Sequence, residues 1–195
     1  LLLKFYKTYT MKKFNLLLLI FGFSFTMFQA QTSKKSINEN HFKTSDLVDL
    51  DLSSKGYNVI TKAPKGARII QDGKDIAVYG GKFFKMTFSK QDFSNPFNED
   101  EKYSNIAEKV ADIKTLASDK EMNPGFVKFE AEDKNGFLNR STASGLSFTY
   151  GVKAGDNAIM ISDGITYDIS PDKFTKYTDE DIRVMYEAAK ATVAK

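Results

Sequence analysis

The sequence predicts an α+β fold: an antiparallel β-sheet packed against two long amphipathic helices, in a single domain of residues 46–195. Three observations predict it. Between Tyr57 and Phe93, short apolar runs alternate with turns built on Gly and Pro. Tyr103, Ile106, Val110, Ile113 and Ala117 recur at spacings of three and four, which places them on one side of a helix. Thr178-Asp179-Glu180-Asp181 then caps a second stripe, Ile182, Met185, Tyr186, Ala189 and Val193.

The chain opens with Leu1 to Thr10, which lack an initiator Met and precede one at Met11; they read as an over-extended start. Lys12 and Lys13 come next, then the 13-residue apolar run Leu16–Phe28 and the small residue Ala30. A basic start, a short apolar core and a small residue before a polar chain form a secretory signal peptide over residues 11–30. The run falls short of the roughly 20 residues a membrane span needs. Cleavage after Ala30 is expected to deliver the protein to the periplasm or the exterior, with no stable membrane anchor. Residues 31–45 are polar, lack periodicity and read as a flexible linker.

The elements of the domain follow in order. Asp46–Leu52 alternates in part and reads as a first strand or a packed turn, broken by Ser53-Ser54-Lys55-Gly56. Tyr57–Thr61, Ala67–Ile70 and Ile76–Tyr79 are strands, separated by turns at Pro64-Lys65-Gly66 and Asp72-Gly73. Gly80-Gly81 reads as a two-residue hairpin turn, and Phe84, Met86 and Phe88 alternate on the returning strand. Asn95-Pro96 ends this meander, and a helix is expected over about Glu99–Asp119, its acids at the positive end of the helix dipole. Pro124-Gly125 stops that helix. Strands then run through Phe126–Phe129, Phe137–Thr142, Leu146–Tyr150 and Ala158–Ile161, with Asn135-Gly136 as a tight turn. Ser170-Pro171-Asp172 reads as a short helical turn, and the last helix is expected to pack across the sheet.

Composition excludes much chemistry. The full chain holds 28 Lys and Arg against 25 Asp and Glu. Loss of the leader removes Lys4, Lys7, Lys12 and Lys13 and no acid, leaving 24 basic and 25 acidic residues. A near-neutral chain carries no electrostatic footprint for nucleic acid. With no Cys, thiol catalysis, Cys-ligated zinc and iron–sulfur clusters are excluded, as are disulfides and an N-terminal lipid anchor on cysteine. His41 is the one histidine and falls in the linker, away from any triad. No resident cofactor is expected. Asp163, Asp168 and Asp172, in an oxygen-rich loop, could hold calcium, although their spacing does not match a 12-residue calcium loop. Glu130 and Glu132 could join Asp163 or Asp168 as a carboxylate pair for glycoside hydrolysis, against the simpler reading of a solvent-facing strand. Lys62, Lys65 and Arg68 cluster around the Pro64-Gly66 turn and could hold an anion or head group. Tyr79, Phe84, Phe148 and Tyr150 could line an apolar pocket, against the simpler reading of core packing.

The stretch Val59-Ile60-Thr61-Lys62-Ala63-Pro64-Lys65-Gly66-Ala67 and the ending Thr178-Asp179-Glu180-Asp181 before an amphipathic helix resemble the PsbP-like fold, in which helices sandwich an antiparallel sheet. The leader ending Gln29-Ala30-Gln31 is similar to those of exported Bacteroidota proteins. The PsbP-like resemblance implies a non-catalytic accessory or binding role and carries no site residue. The expectation is a non-enzymatic envelope module acting through a protein partner or a small apolar ligand. The alternative is a carboxylate-dependent hydrolase acting on envelope or carbohydrate substrates.

Overall fold

The computed structural model describes residues 40–95, 98–164 and 177–195. The expected leader, residues 31–39 of the expected linker and the Ser170-Pro171-Asp172 turn lie outside the described residues. Twelve strands occur among the described residues: β1 Leu47–Asp51, β2 Val59–Pro64, β3 Arg68–Asp72, β4 Asp75–Gly81, β5 Phe84–Gln91, β6 Ser94–Asn95, β7 Asn98–Lys102, β8 Phe126–Glu132, β9 Gly136–Ser141, β10 Gly145–Ala154, β11 Asn157–Asp163 and β12 Val193–Ala194. Helix α1 is Ile106–Ser118 and helix α2 is Asp179–Lys190.

This corrects the expected class. The fold is mainly β, organised on a seven-stranded sheet in the order β3-β4-β5-β11-β10-β9-β8, and the two α-helices among the described residues are short, at 13 and 12 residues. Both were expected to be longer, for reasons visible at their ends. Asn98–Lys102 pairs as β7 with β6 instead of opening α1. That segment, NEDEK, has no apolar side chain to hold an extra helical turn against the sheet. The helix starts at Asn105, whose side chain accepts the Glu108 N–H at 3.1 Å. Beyond the C-terminal end of α2, Val193 leaves the helical stripe, pairs with Ile60 and is exposed. Thr192 makes the break: its hydroxyl lies 2.8 Å from that of Thr61, and both residues are buried.

The main sheet is two antiparallel meanders joined side by side. β3-β4-β5 forms the first and β8-β9-β10-β11 the second, which returns from the far edge so that β11 pairs with β5. A three-stranded sheet, β1-β2-β12, ties the start of the domain to the end of the chain. Because alternate strand residues face opposite ways, each face of the sheet builds its own core. Ile159 and Ile161 join Val78, Met86, Phe88 and Phe148 beneath Ile182, Met185 and Tyr186 of α2. Ala158 and Met160, one position out of phase, pack with Phe137 beneath Ile106 and Val110 of α1. The two helices therefore lie on opposite faces.

Two glycine readings also change. Gly80-Gly81 is not the turn; both belong to β4, where the register shifts between Tyr79 and Gly81, and the chain reverses at Lys82-Phe83. Gly80 is there for close approach, since a Cβ on it would stand 2.6 Å from Pro64 Cγ. Gly136 opens β9 instead of closing a turn. The Asp133 carboxylate makes that turn, accepting the N–H groups of Asn135 at 2.7 Å and Gly136 at 3.0 Å.

Candidate functional site

The aromatic candidates fall into two environments. Phe84, Phe148 and Tyr150 are buried in the core beneath α2, where Tyr186 packs 5.8 Å from Phe148 and 6.3 Å from Tyr150 between ring centroids. Burial pushes the Tyr186 hydroxyl well above the usual tyrosine range. Tyr79 lies half-buried on the opposite sheet face, with the Arg68 guanidinium 5.4 Å from its ring centre. The basic candidates each have their own surroundings. Lys62 pairs with Asp49 at 2.8 Å on the small sheet, Lys65 is exposed on the turn, and Arg68 stacks on Tyr79.

Of the carboxylates expected to hold calcium, Asp168 and Asp172 lie outside the described residues. Asp163 ends β11 and accepts the Phe148 N–H at 3.0 Å. Burial raises its pKa, and that hydrogen bond opposes the rise. Among the described residues, no three of His, Asp and Glu are arranged to hold a metal ion.

Glu130 is placed differently from the sequence reading. It was read as a solvent-facing strand residue, yet its side chain is only 10% exposed. It sits on β8 between Arg140 of β9 and Arg183 of α2, and both guanidinium groups donate to its carboxylate. Arg140 also reaches Asp179 at the start of α2, at 2.6 Å, and Lys128 lies 4.0 Å from Glu130. The hydrogen bond from Arg140, and secondarily that from Arg183, lowers the Glu130 pKa from 4.5 to about 2. One carboxylate thus fastens two strands and a helix. Strand alternation marked Glu130 as an outward residue, and nothing local in the sequence pairs it with Arg183, 53 positions away.

Beside this network lies a cleft of about 250 Å³. The buried Leu138, Val184 and Tyr186 close its floor, and Glu180, Arg183 and Glu187 supply the charges. Thr44 closes one side, from the segment before β1. That segment is docked. His41, read from sequence as a linker residue, places Nδ1 2.7 Å from Asp181 Oδ1 and stacks on Phe83 with ring centres 4.0 Å apart. Asp181 is 3% exposed and also serves the cap of α2, accepting the Thr178 N–H at 2.8 Å. The expected Thr178 cap is present, its hydroxyl accepting the Asp181 N–H at 3.2 Å.

A general acid needs a carboxyl whose pKa is raised toward the working pH. Glu130 is held ionised by two guanidinium groups, the opposite condition. Around the cleft, Glu180, Arg183 and Glu187 set charges of both signs above a buried apolar floor. Among the described residues, no helix is long and apolar enough to cross a membrane. Comparison with protein-family models, with curated proteins and with solved structures returns no match.

Proposed function

We propose that this chain is an exported, non-enzymatic module of the cell envelope, and that it works by binding a protein partner in the cleft beside α2. The observation that carries the reading is the contrast between the filled core and the open cleft. Phe84, Phe148 and Tyr150 are packed under α2, so they offer no apolar chamber for a small ligand. The open space instead presents Glu180 and Glu187 beside Arg183, over a floor closed by the buried Leu138 and Val184. Charges of both signs in one recess suit a polypeptide surface, whose rim contacts are polar. The signal-peptide reading and the PsbP-like resemblance point the same way, to an exported accessory protein.

Photo-crosslinking in intact envelopes tests this. A crosslinker placed at Glu187 is expected to trap one discrete protein, and one placed at the exposed Lys55, which does not line the cleft, is not. Reversing the rim with Glu180→Lys and Glu187→Lys in a chain carrying the crosslinker at Thr44 is expected to abolish the adduct and leave the melting temperature unchanged. Equal labelling from both positions, or an adduct indifferent to the reversal, would remove the cleft from the reading. A retained apolar molecule in native mass spectrometry would favour the small-ligand alternative.

A further inference from the structure

The free edges of a sheet are templates for another strand, and folded proteins blunt them. In the seven-stranded sheet the edges are β3 and β8. β8 is blunted by two register shifts, between Phe126 and Lys128 and between Phe129 and Ala131. β3 is not. Its five residues, Arg68-Ile69-Ile70-Gln71-Asp72, pair with β4 in unbroken register, and Ile70 is 42% exposed at its centre.

The order of those five residues is self-complementary. In an antiparallel pair centred on Ile70, Ile70 faces Ile70 of a second copy, Arg68 faces Asp72, and Asp72 faces Arg68. The backbone phase agrees. The two-residue Gly73-Lys74 turn makes Asp72 and Asp75 the closing hydrogen-bonded pair, so Arg68, Ile70 and Asp72 turn their N–H and C=O groups toward β4. Ile69 and Gln71 then turn theirs outward, where Ile69 of one copy meets Gln71 of the other and each pair exchanges two bonds. Arg68, Ile70 and Asp72 share one face. Arg68 stacks there on Tyr79, and Asp72 lies 3.5 Å from Lys85. Asp72 also stands opposite Asp75 on the neighbouring strand, a like-charge pairing that an incoming Arg68 would offset.

The exposed edge of the small sheet offers a contrast. β1, Leu47-Val48-Asp49-Leu50-Asp51, also has an exposed apolar residue, Val48. Centring β1 on itself sets Asp49 against Asp49 and leaves Asp51 facing Leu47. We infer that β3 is a homodimer edge: two copies join antiparallel about Ile70 and run their seven-stranded sheets into one continuous sheet. The contact is a closed, two-fold one, so it stops at a dimer. A single strand pair covers less than a standard interface, which makes the dimer a weak and concentration-dependent one. It is independent of the cleft beside α2.

The chain has no cysteine, so a single introduced thiol reports the geometry directly. Facing residues of a non-hydrogen-bonded antiparallel pair have Cα atoms about 4.5 Å apart, within the span of a disulfide. Full chains carrying Ile70→Cys, and as controls Val48→Cys and Val127→Cys, are oxidised in dilute solution. Ile70→Cys is expected to form a disulfide dimer rapidly and the controls slowly. Sedimentation velocity up to about 1 mM is expected to show a monomer–dimer equilibrium. Arg68→Asp should weaken it by about tenfold or more, by setting like charges face to face. The swap Arg68→Asp with Asp72→Arg should return it to within about threefold of the original. That recovery separates a lost contact from a damaged fold. A chain that stays monomeric at every concentration overturns the proposal and leaves the edge to a different protein's strand or to residues outside the described range. So does a dimer insensitive to Arg68→Asp, or equal crosslinking at all three thiols.

Discussion

Glu130 shows how far a single side chain can govern local order. It accepts from Arg140 and Arg183 at once, and those two hydrogen bonds hold its nearly buried carboxylate in the charged form. Its carboxyl titrates at about 2 in the folded chain, against 4.5 for the ordinary value. A lowered folded-state pKa means that the stabilisation is present above 4.5 and is lost as pH falls through about 2. Glu130→Gln should therefore lower the melting temperature at pH 7, and the gap between variant and parent should narrow from pH 5 to pH 2. Differential scanning calorimetry across that range checks it; a gap that stays constant with pH would mean that the pair contributes through packing and not through charge.

At the scale of elements, the N-terminus of α2 concentrates several roles in a few residues. Thr178 caps it, the buried Asp181 completes the capping box, and His41 reaches Asp181 from before β1. Thr178→Ala should cost about 1 kcal/mol, read as a shift in urea midpoint with an unchanged m-value. This cap was legible in the sequence because capping is local: Thr178 and Asp181 are three positions apart. The alternation of Phe84, Met86 and Phe88 was legible for the same reason. Helix length was not. Asn98–Lys102 carries acids suited to a helix start, and only its pairing with β6 makes it a strand. Gly80 looked like a turn because its partner, Pro64, comes from another strand. His41 and Glu130 looked solvated because Asp181 and Arg183 are distant in sequence. What the sequence concealed is in each case a contact between remote segments. The basic cluster at Lys62, Lys65 and Arg68 failed to converge on one point for a related reason: Lys62 and Arg68 lie on strands of different sheets.

At the scale of the whole molecule, the β5–β11 pairing is the seam between two meanders, with Phe88 opposite Ile161 and both fully buried. A side chain at a seam belongs to both halves. Phe88→Ala should destabilise by about 3–5 kcal/mol, and the two meanders should unfold in one transition. Hydrogen exchange is the discriminating readout: amides of β4 and β10 should lose protection together, and loss confined to the first meander would show that the halves fold independently.

The same seam bears on how the chain is made. Synthesis runs from the N-terminus, so β3, β4 and β5 leave the ribosome while β11 is still to be translated. Until it arrives, the edge of β5 is a long, regular strand with Phe84, Met86 and Phe88 on one side and no neighbour beyond it. Such an edge invites association with other nascent chains. The growing polypeptide thus passes through an interval in which a holding chaperone has a defined target, Phe84–Gln91, and that interval closes only when β11 has emerged to pair with β5.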